Sequence, residues 1–171
     1  MAPALSIVVM GVSGAGKSTL GRALADALGY GFVEGDALHP AANVAKMAAG
    51  IPLDDADRWP FLENVAAALV AGRGAGVVAS CSALKRGYRD LLRSRAGPIT
   101  FVLPMLDRAG LEGRIAGRAG HFMPASLLDS QLATLDPPGA DENAIIVDGT
   151  LAVTAQVCAV LARLGEGVVD G

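Results

Sequence analysis

Short apolar runs alternate along the chain with longer segments in which apolar residues recur every three or four positions. The first run, Ser6–Met10, is rich in β-branched residues and is followed by a glycine, which is typical of a buried parallel strand. Leucines spaced by four then lie on one face of a predicted helix over Lys17–Leu28, and Gly29 follows where a helix commonly ends. The chain therefore begins with a strand, a glycine-rich loop and a helix.

The same alternation continues to the end of the chain. Further strands are predicted at Gly31–Glu34, Val77–Cys81, Ile99–Leu103 and Ala144–Val147. Further helices are predicted at Ala41–Ala49, Trp59–Ala71, Lys85–Ser94, Asp107–Arg118, Pro124–Thr134 and Leu151–Leu164. Such alternation predicts an α/β fold with a mainly parallel sheet flanked by helices, although it leaves the strand order open. Without repeats or long linkers, residues 1–171 are expected to form a single domain.

The composition excludes several classes of protein. With 52% hydrophobic and 18% charged residues, the chain is not intrinsically disordered. A net charge of −3 argues against a nucleic-acid binder and against binding to an anionic membrane. The uncharged stretch Gly149–Ala162 is too short to span a bilayer. Cys81 and Cys158 form no C-x-x-C motif and suit a cytoplasmic protein with both thiols buried.

The glycine-rich loop carries the most specific chemical signal. Residues 11–18 read G-V-S-G-A-G-K-S, which fits the phosphate-binding pattern G-x-x-x-x-G-K-[ST] between a strand and a helix. The N–H groups of such a loop surround phosphate oxygens, Lys17 is expected to contact the β- and γ-phosphates of a bound nucleotide, and Ser18 is the expected Mg²⁺ ligand. The predicted nucleotide-binding residues are Gly11, Val12, Ser13, Gly14, Ala15, Gly16, Lys17, Ser18, Thr19 and, on a later helix, Arg114.

A phosphate-binding loop occurs both in small-molecule kinases and in nucleotide-dependent switches. The chain has no N-K-x-D guanine signature, and the strand Val77–Cys81 is not followed by an Asp-x-x-Gly switch segment. These absences disfavour a switch. A kinase needs a group near the acceptor hydroxyl, a binding pocket and a lid.

Candidates for the acceptor site follow the second predicted strand. Ligands of open α/β sheets gather where parallel strands end. Asp36, in the segment G-D-A-L-H-P, is expected to accept the proton of a substrate hydroxyl or to hold the water shell of the metal; the alternative is a helix cap. His39 in the same segment is either a substrate ligand or a surface residue of a turn.

Several cations indicate an anionic substrate. Arg58 follows three carboxylates and can bind a substrate carboxylate through two hydrogen bonds. Lys85 and Arg89 follow the third strand, on the expected ligand side of the sheet. These three residues are predicted substrate ligands, and the alternative for the last two is a basic helix face in water.

A lid is predicted over residues 107–136. Arg114 and Arg118 are four residues apart and share one helical face, just before a glycine that interrupts the helices. Arg118 is expected to neutralise negative charge on the phosphoryl group as it is transferred. The predicted catalytic residues are therefore Lys17, Asp36 and Arg118. The alternative is a solvent-facing arginine stripe.

Taken in order, these segments resemble the gluconokinase family, thermoresistant type. The resemblance rests on the phosphate loop and on G-D-x-L-H-P at 35–40, C-S-A-L-K at 81–85, R-x-G-H-F at 118–122 and Q-L-x-x-L-x-x-P at 131–138. It extends from about Ile7 to Val147 and implies phosphorylation of D-gluconate by ATP at the 6-hydroxyl. It also implies a three-layer P-loop NTPase fold of the nucleoside-monophosphate-kinase type, with a small helical lid, and commonly a homodimer.

The sequence departs from the family pattern at three positions near the acceptor segments. Glu34 stands where the family often has Asp, Trp59 where a polar residue is common, and Phe61 where Trp is frequent. Trp59 and Phe61 are expected to affect how the substrate fits into the site. A kinase of another small hydroxy-acid, such as shikimate, is the alternative.

Overall fold

The computed structural model describes residues 3–116 and 125–166, in which strands and helices alternate as predicted. The strands are β1 (Ser6–Val9), β2 (Gly31–Glu34), β3 (Val77–Ser80), β4 (Thr100–Met105) and β5 (Ala144–Asp148). The helices are α1 (Lys17–Leu28), α2 (Ala41–Ala48), α3 (Asp55–Gly72), α4 (Arg86–Ala96), α5 (Arg108–Ala116), α6 (Ala125–Thr134) and α7 (Val153–Glu166). Short 3₁₀ turns lie at Gly35–Leu38 and Ala140–Glu142.

The five strands form one parallel sheet in the order β2-β3-β1-β4-β5. β2 therefore does not pair with β1, because β3 lies between them. Val8 of β1 is paired with Ala79 of β3 on one side and with Phe101 of β4 on the other. This order brings the loops after β1, β2 and β3 to one edge of the sheet, where ligands bind in open α/β folds.

Helices cover both faces of the sheet. On one face, Val8 and Phe101 pack with α3 and α4. On the other, Ile7 and Val102 pack with α1 and α7. Because the central strands β1, β3 and β4 are buried on both faces, they carry nearly continuous apolar runs rather than alternating ones. The three-layer α/β/α architecture is confirmed.

A third apolar cluster joins the phosphate loop to the base of the predicted lid. Val12 and Ala15 of the loop pack with Leu111 of α5 and Leu128 of α6. The two helices predicted for the lid are thus anchored on the loop that they are expected to cover. The connection between them, including Arg118, lies outside the described residues.

Helix α3 begins earlier than the sequence predicts. Asp54 caps it by accepting from the backbone N–H of Asp57 at 2.8 Å, and the Asp57 carboxylate accepts in return from the backbone N–H of Asp54 at 3.1 Å. This reciprocal capping box starts the helix at Asp55. The predicted start at Trp59 is wrong, and Pro60 lies within the helix.

The two cysteines differ in environment. Cys81 is buried, as expected, and burial raises the pKa of its thiol to about 12. Cys158 is exposed, so the expectation that both thiols are buried is wrong for this residue. The inward face of α7 is formed instead by neighbours such as Val157 and Val160. Within the part of the chain that the structure describes, no helix has the length and apolar character needed to cross a membrane.

Candidate active site

The phosphate-binding loop leads from β1 into α1 and is shaped by its glycines. Gly14 and Gly16 have φ angles of 86° and 88°, in the left-handed region where an L side chain is strained. A Cβ atom at Gly16 would also lie 2.9 Å from Nη1 of Arg114. The loop therefore has the backbone that a phosphate cradle needs, and it opens directly into the N-terminus of α1.

Lys17 and Ser18 stand at the start of α1. Lys17 Nζ donates to the carbonyl oxygen of Val12 at 3.0 Å and lines the adjoining cavity. Ser18 Oγ donates to Oε1 of Glu34 at 2.8 Å, and the same carboxylate oxygen accepts from Oγ of Ser80 at 2.7 Å. Glu34 and Ser80 thus tie the end of β2 and the end of β3 to the phosphate loop.

These groups suit a hard cation. The Ser18 hydroxyl oxygen retains lone pairs, and the Glu34 carboxylate supplies negative charge beside it. Residues 3–116 and 125–166 contain no cluster of three or more His, Cys, Asp or Glu side chains that could hold a metal. A cation here would therefore take its other ligands from phosphate oxygens and water, as Mg²⁺ commonly does.

A cavity of about 390 Å³ adjoins the loop. Lys17, Asp36, His39 and Arg58 line it together, although they come from three different segments of the chain. Asp36 lies in the 3₁₀ turn after β2, His39 follows that turn, and Arg58 lies in the second turn of α3. Three predicted acceptor residues thus share one cavity with the predicted phosphate-binding lysine.

The position of Asp36 is set by close packing at the end of β2. Gly35 lies against β3 so tightly that a Cβ on it would be 1.8 Å from the carbonyl oxygen of Ser80. The N–H of Gly35 also donates to Oγ of Ser80 at 3.1 Å. The 3₁₀ turn that carries Asp36 is therefore fixed to the neighbouring strand. Asp36 lies inside this turn, and no side-chain cap is found for α2, so the alternative role as a helix cap is not supported.

Arg58 is a cavity cation with unused hydrogen-bonding capacity. Its Nε atom is buried and has no hydrogen-bond partner among the described residues. Its guanidinium carbon lies 5.4 Å from the centre of the Tyr88 ring, which restricts the orientation of the side chain. An unsatisfied buried donor costs about 1–3 kcal/mol, and a carboxylate ligand would satisfy it.

His39 is held against an aromatic platform. Its ring stacks on Phe61, with the ring centres 3.7 Å apart and the planes at 11°. Burial lowers the pKa of His39 below its usual 6.5, the charge of Arg58 acts in the same direction, and Asp36 opposes both. The imidazole is therefore neutral near pH 7. Phe61, one of the departures from the family pattern, supplies the surface on which His39 lies.

The structure contradicts the expectation that Arg89 binds substrate. Arg89 is fully buried, and its Nε pairs with Oε1 of Glu142 at 2.8 Å. Its remaining nitrogens donate to the carbonyl oxygens of Ala83, Leu84 and Asp136. With these donors directed into the protein, Arg89 holds the loop after β3 in place and does not face the cavity. The position of Arg89 after β3 predicts a cation at this edge of the sheet, but it does not show whether the side chain faces the cavity or the protein interior.

Lys85 also lies outside the cavity that contains Lys17. Its ammonium group pairs with Oδ1 of Asp55 at 3.0 Å and lies 5.6 Å from the centre of the Tyr88 ring. It lines a neighbouring open groove, which it shares with Arg58 and Tyr88. Direct contact between Lys85 and a substrate in the main cavity is therefore not supported.

Arg114 and Thr19, the other predicted nucleotide ligands, lie in different environments. Arg114 on α5 donates from Nη1 to the carbonyl oxygen of Ala15 at 3.5 Å and from Nη2 to that of Gly149. It thus lies between the phosphate loop and the turn after β5, consistent with contact to a bound nucleotide. Thr19 is exposed in the first turn of α1.

Two further polar residues adjoin the site without having been predicted as part of it. Gln131 of α6 lines the cavity and hydrogen-bonds Ser13 of the phosphate loop. Gln131 belongs to one of the segments that carry the family resemblance, and this is the sequence feature from which its role could have been predicted. Asn43 of α2 is 3% exposed and contacts His39. Nothing in the sequence distinguishes Asn43 from a surface residue.

A parallel sheet, this phosphate loop and a cavity lined by lysine, aspartate and arginine define a P-loop kinase. The sequence matches the AAA domain family over residues 7–138. The chain is 54% identical over 147 residues to the gluconokinase of Gluconobacter oxydans strain 621H, which covers 84% of this chain and 82% of that protein. The chain belongs to the gluconokinase family.

Other relatives agree with this assignment. The thermoresistant gluconokinase of Escherichia coli K12 is 41% identical over 159 residues, covering 88% of this chain and 91% of that protein. The crystal structure of a gluconokinase from Sinorhizobium meliloti 1021 has a TM-score of 0.86 at 49% identity, covering 96% and 95% of the two chains. The shikimate kinase of Aquifex aeolicus, at 16% identity and a TM-score of 0.62, shares the fold.

Proposed function

We propose that this protein is a gluconokinase, which transfers the γ-phosphoryl group of ATP to the 6-hydroxyl of D-gluconate and forms 6-phospho-D-gluconate. The observation that carries the substrate assignment is the buried Nε of Arg58, which has no hydrogen-bond partner in the part of the chain that the structure describes and belongs to a side chain lining the same cavity as Lys17 and Asp36. A small polyol with one carboxylate matches a cavity that holds this cation beside several hydrogen-bonding groups.

Arg58 fixes the carboxylate end of the substrate. Its guanidinium binds the carboxylate through two hydrogen bonds, and His39 binds a hydroxyl of the polyol chain. Holding one end in this way determines which hydroxyl at the other end reaches the phosphate. Lys85 contributes positive charge to the neighbouring groove, and the buried Arg89 does not reach the substrate.

Asp36 orients the acceptor hydroxyl and receives its proton. The bond from O6 to the γ-phosphorus forms while the bond from that phosphorus to the β,γ-bridging oxygen breaks, and the bridging oxygen leaves with ADP. The proton of O6 passes to Asp36 as the transition state collapses.

The phosphate loop, Lys17 and Arg114 hold the nucleotide, and Lys17 neutralises charge on the transferring group. Mg²⁺, held by Ser18, would supply further neutralisation of the phosphate oxygens when bound. Arg118, outside the described residues, is proposed to add a second positive charge from the lid.

The test is a coupled ADP-release assay with gluconate, shikimate and glucose as acceptors. We expect gluconate to be preferred, and we expect Arg58→Ala to weaken gluconate binding by roughly 2–5 kcal/mol and to erode its selection over glucose. Arg95→Ala is the matched control, because Arg95 lies on the surface and pairs with Glu63 at 3.1 Å. Preference for shikimate would refute the assignment. Unchanged selectivity in Arg58→Ala would place the carboxylate elsewhere.

The homodimer and the cytoplasmic location that the sequence and the resemblance suggest are also proposed for this chain. Light scattering coupled to size exclusion tests the first, and fractionation of cells tests the second. Neither bears on the chemistry above.

A further inference from the structure

Asn43 is a buried amide behind the cavity wall. It lies in α2, is 3% exposed and does not itself line the cavity. Its Nδ2 atom donates to the carbonyl oxygen of Asp57 at 2.8 Å and lies 3.2 Å from Nδ1 of His39. One amide nitrogen thus contacts both His39 and the residue that precedes Arg58.

These two contacts determine the direction of the hydrogen bond to His39. The carbonyl oxygen of Asp57 can only accept, so the Asn43 atom that faces it is the NH₂ group and not the amide oxygen. An NH₂ group can only donate, so Nδ1 of His39 must be the acceptor. A neutral imidazole that accepts at Nδ1 carries its proton on Nε2.

We propose that Asn43 is a positioning residue that holds His39 in the Nε2–H tautomer, so that His39 acts only as a hydrogen-bond donor to a hydroxyl of the bound gluconate. The stacking of His39 on Phe61 fixes the plane of the ring, and the bond from Asn43 fixes its rotation within that plane. Nε2 lies on the edge of the ring away from Nδ1. The identity of the ligand rests on the proposed function, whereas the tautomer does not.

The tautomer determines which groups of the cavity wall donate hydrogen bonds and which accept them. Asp36 and His39 both line it, and the carboxylate of Asp36 accepts while Nε2–H of His39 donates. A substrate hydroxyl can satisfy both at once, by accepting from His39 and donating to Asp36. With the other tautomer, two acceptors would face the same hydroxyl and one of them would lose its bond. A protonated Nε2 also excludes His39 as the acceptor of the O6 proton, which leaves that role to Asp36.

The direct test is ¹⁵N-edited NMR of the imidazole rings in the ligand-free protein near pH 7.5. His39 and His121 are the two histidines of the chain, and His39→Gln assigns their signals. We expect the pattern of a protonated Nε2 and an unprotonated Nδ1 for His39. A protonated Nδ1 would overturn the proposal, and this measurement on the unmodified protein needs no variant to fold.

A variant tests whether Asn43 is the cause. Asn43→Asp replaces the donor with an acceptor of nearly the same shape, so the His39 proton should move to Nδ1 and the KM for gluconate should rise by about tenfold or more, with the KM for ATP little changed. Asn64→Ala is the control, because Asn64 also donates from Nδ2 to a carbonyl oxygen, that of Leu38 at 2.9 Å, and is exposed. We expect it to keep the tautomer and the KM.

The outcomes separate this inference from the proposed function. If Asn43→Asp is folded and His39 still carries its proton on Nε2, Asn43 does not set the tautomer. If the tautomer is as expected but gluconate is not phosphorylated, the proposed function fails while the hydrogen-bond assignment stands. If the tautomer switches and the gluconate KM is unchanged, His39 does not bind the substrate and the positioning role is refuted.

Discussion

Gln131 on α6 holds Ser13 of the phosphate loop by two hydrogen bonds. The backbone N–H of Ser13 donates to Oε1 of Gln131 at 2.7 Å, and Nε2 of Gln131 donates to Oγ of Ser13 at 3.2 Å. The two residues are 118 positions apart in the chain. One amide thus connects the predicted lid to the loop that is expected to bind the phosphates of ATP.

This connection predicts a graded effect of substitution at Gln131. Gln131→Ala removes both bonds and leaves the loop less ordered, so we expect the KM for ATP to rise by about three- to thirtyfold. Gln131→Glu keeps an acceptor for Ser13 but places a negative charge beside the phosphates, and it should be the more damaging change. Steady-state kinetics with ATP varied at saturating gluconate measures both. An ATP KM lower in Gln131→Glu than in Gln131→Ala would contradict this account.

Lys17→Met should abolish most of the turnover without unfolding the protein. Lys17 is expected to neutralise the γ-phosphoryl group as it leaves, and removal of such a charge costs on the order of 10²–10³ in kcat. The thermal midpoint should stay close to that of the parent because Lys17 lies at the cavity surface. Normal turnover in the folded variant would show that the loop does not serve catalysis.

Asp36→Asn should separate chemistry from nucleotide binding. The amide keeps the shape of the side chain but is a poor acceptor for the O6 proton, so we expect kcat to fall by about 10²–10⁴. ATP affinity, measured by calorimetry without gluconate, should be retained. If kcat is preserved and the KM for gluconate alone rises, Asp36 binds the substrate without taking its proton.

The parts of the site that the sequence predicts well are those encoded in short segments. The phosphate loop places Lys17 and Ser18 by local backbone geometry, and Asp36 and His39 follow directly from the end of β2. Arg58 is also found in the expected cavity. For these residues, the position along a strand–loop–helix unit is enough to define the edge of the sheet on which they lie.

The sequence does not reveal contacts between distant segments. Arg58 and Arg89 look equivalent in the sequence as cations near the ligand side of the sheet. Among the described residues, however, Nε of Arg58 has no hydrogen-bond partner, whereas Arg89 is paired with Glu142. The difference depends on the 3₁₀ turn at Ala140–Glu142, which is far from both in the sequence. The partners of Gln131 and Asn43 are hidden for the same reason, because side-chain pairing depends on the assembled fold.

The buried pair of Arg89 and Glu142 makes stability dependent on pH. The Glu142 side chain is 1% exposed and accepts hydrogen bonds from Arg89, from the backbone N–H of Gly139 and from Arg93. Hydrogen bonding from Arg89, opposed by burial, lowers the pKa of Glu142 from 4.5 to about 2. Because the pKa is lower in the folded protein than in the unfolded chain, the charged carboxylate stabilises the fold above about pH 4.5.

This stabilisation should be lost as the pH falls from about 4.5 towards 2, and its full size is on the order of 3 kcal/mol. At pH 7, Glu142→Gln should cost about 3–5 kcal/mol, because it leaves Arg89 buried without its counter-charge. The difference between the two proteins should shrink with acidification, because Glu142 takes up a proton in the unfolded chain below about pH 4.5, whereas in the folded protein it does so only towards pH 2. Urea unfolding of both proteins at pH 7, 4 and about 3 measures this difference.

Glu63→Gln provides the matched comparison for this experiment. Glu63 pairs with Arg95 at 3.1 Å, but both side chains are about half exposed. An exposed pair contributes about 0–1 kcal/mol, so the same chemical change at Glu63 should alter the free energy of unfolding little at any of these pH values. A Glu142→Gln penalty that stays constant from pH 7 to 3 would mean that the Glu142 charge is not what stabilises the fold, and that the carboxylate acts through its shape and neutral hydrogen bonds alone.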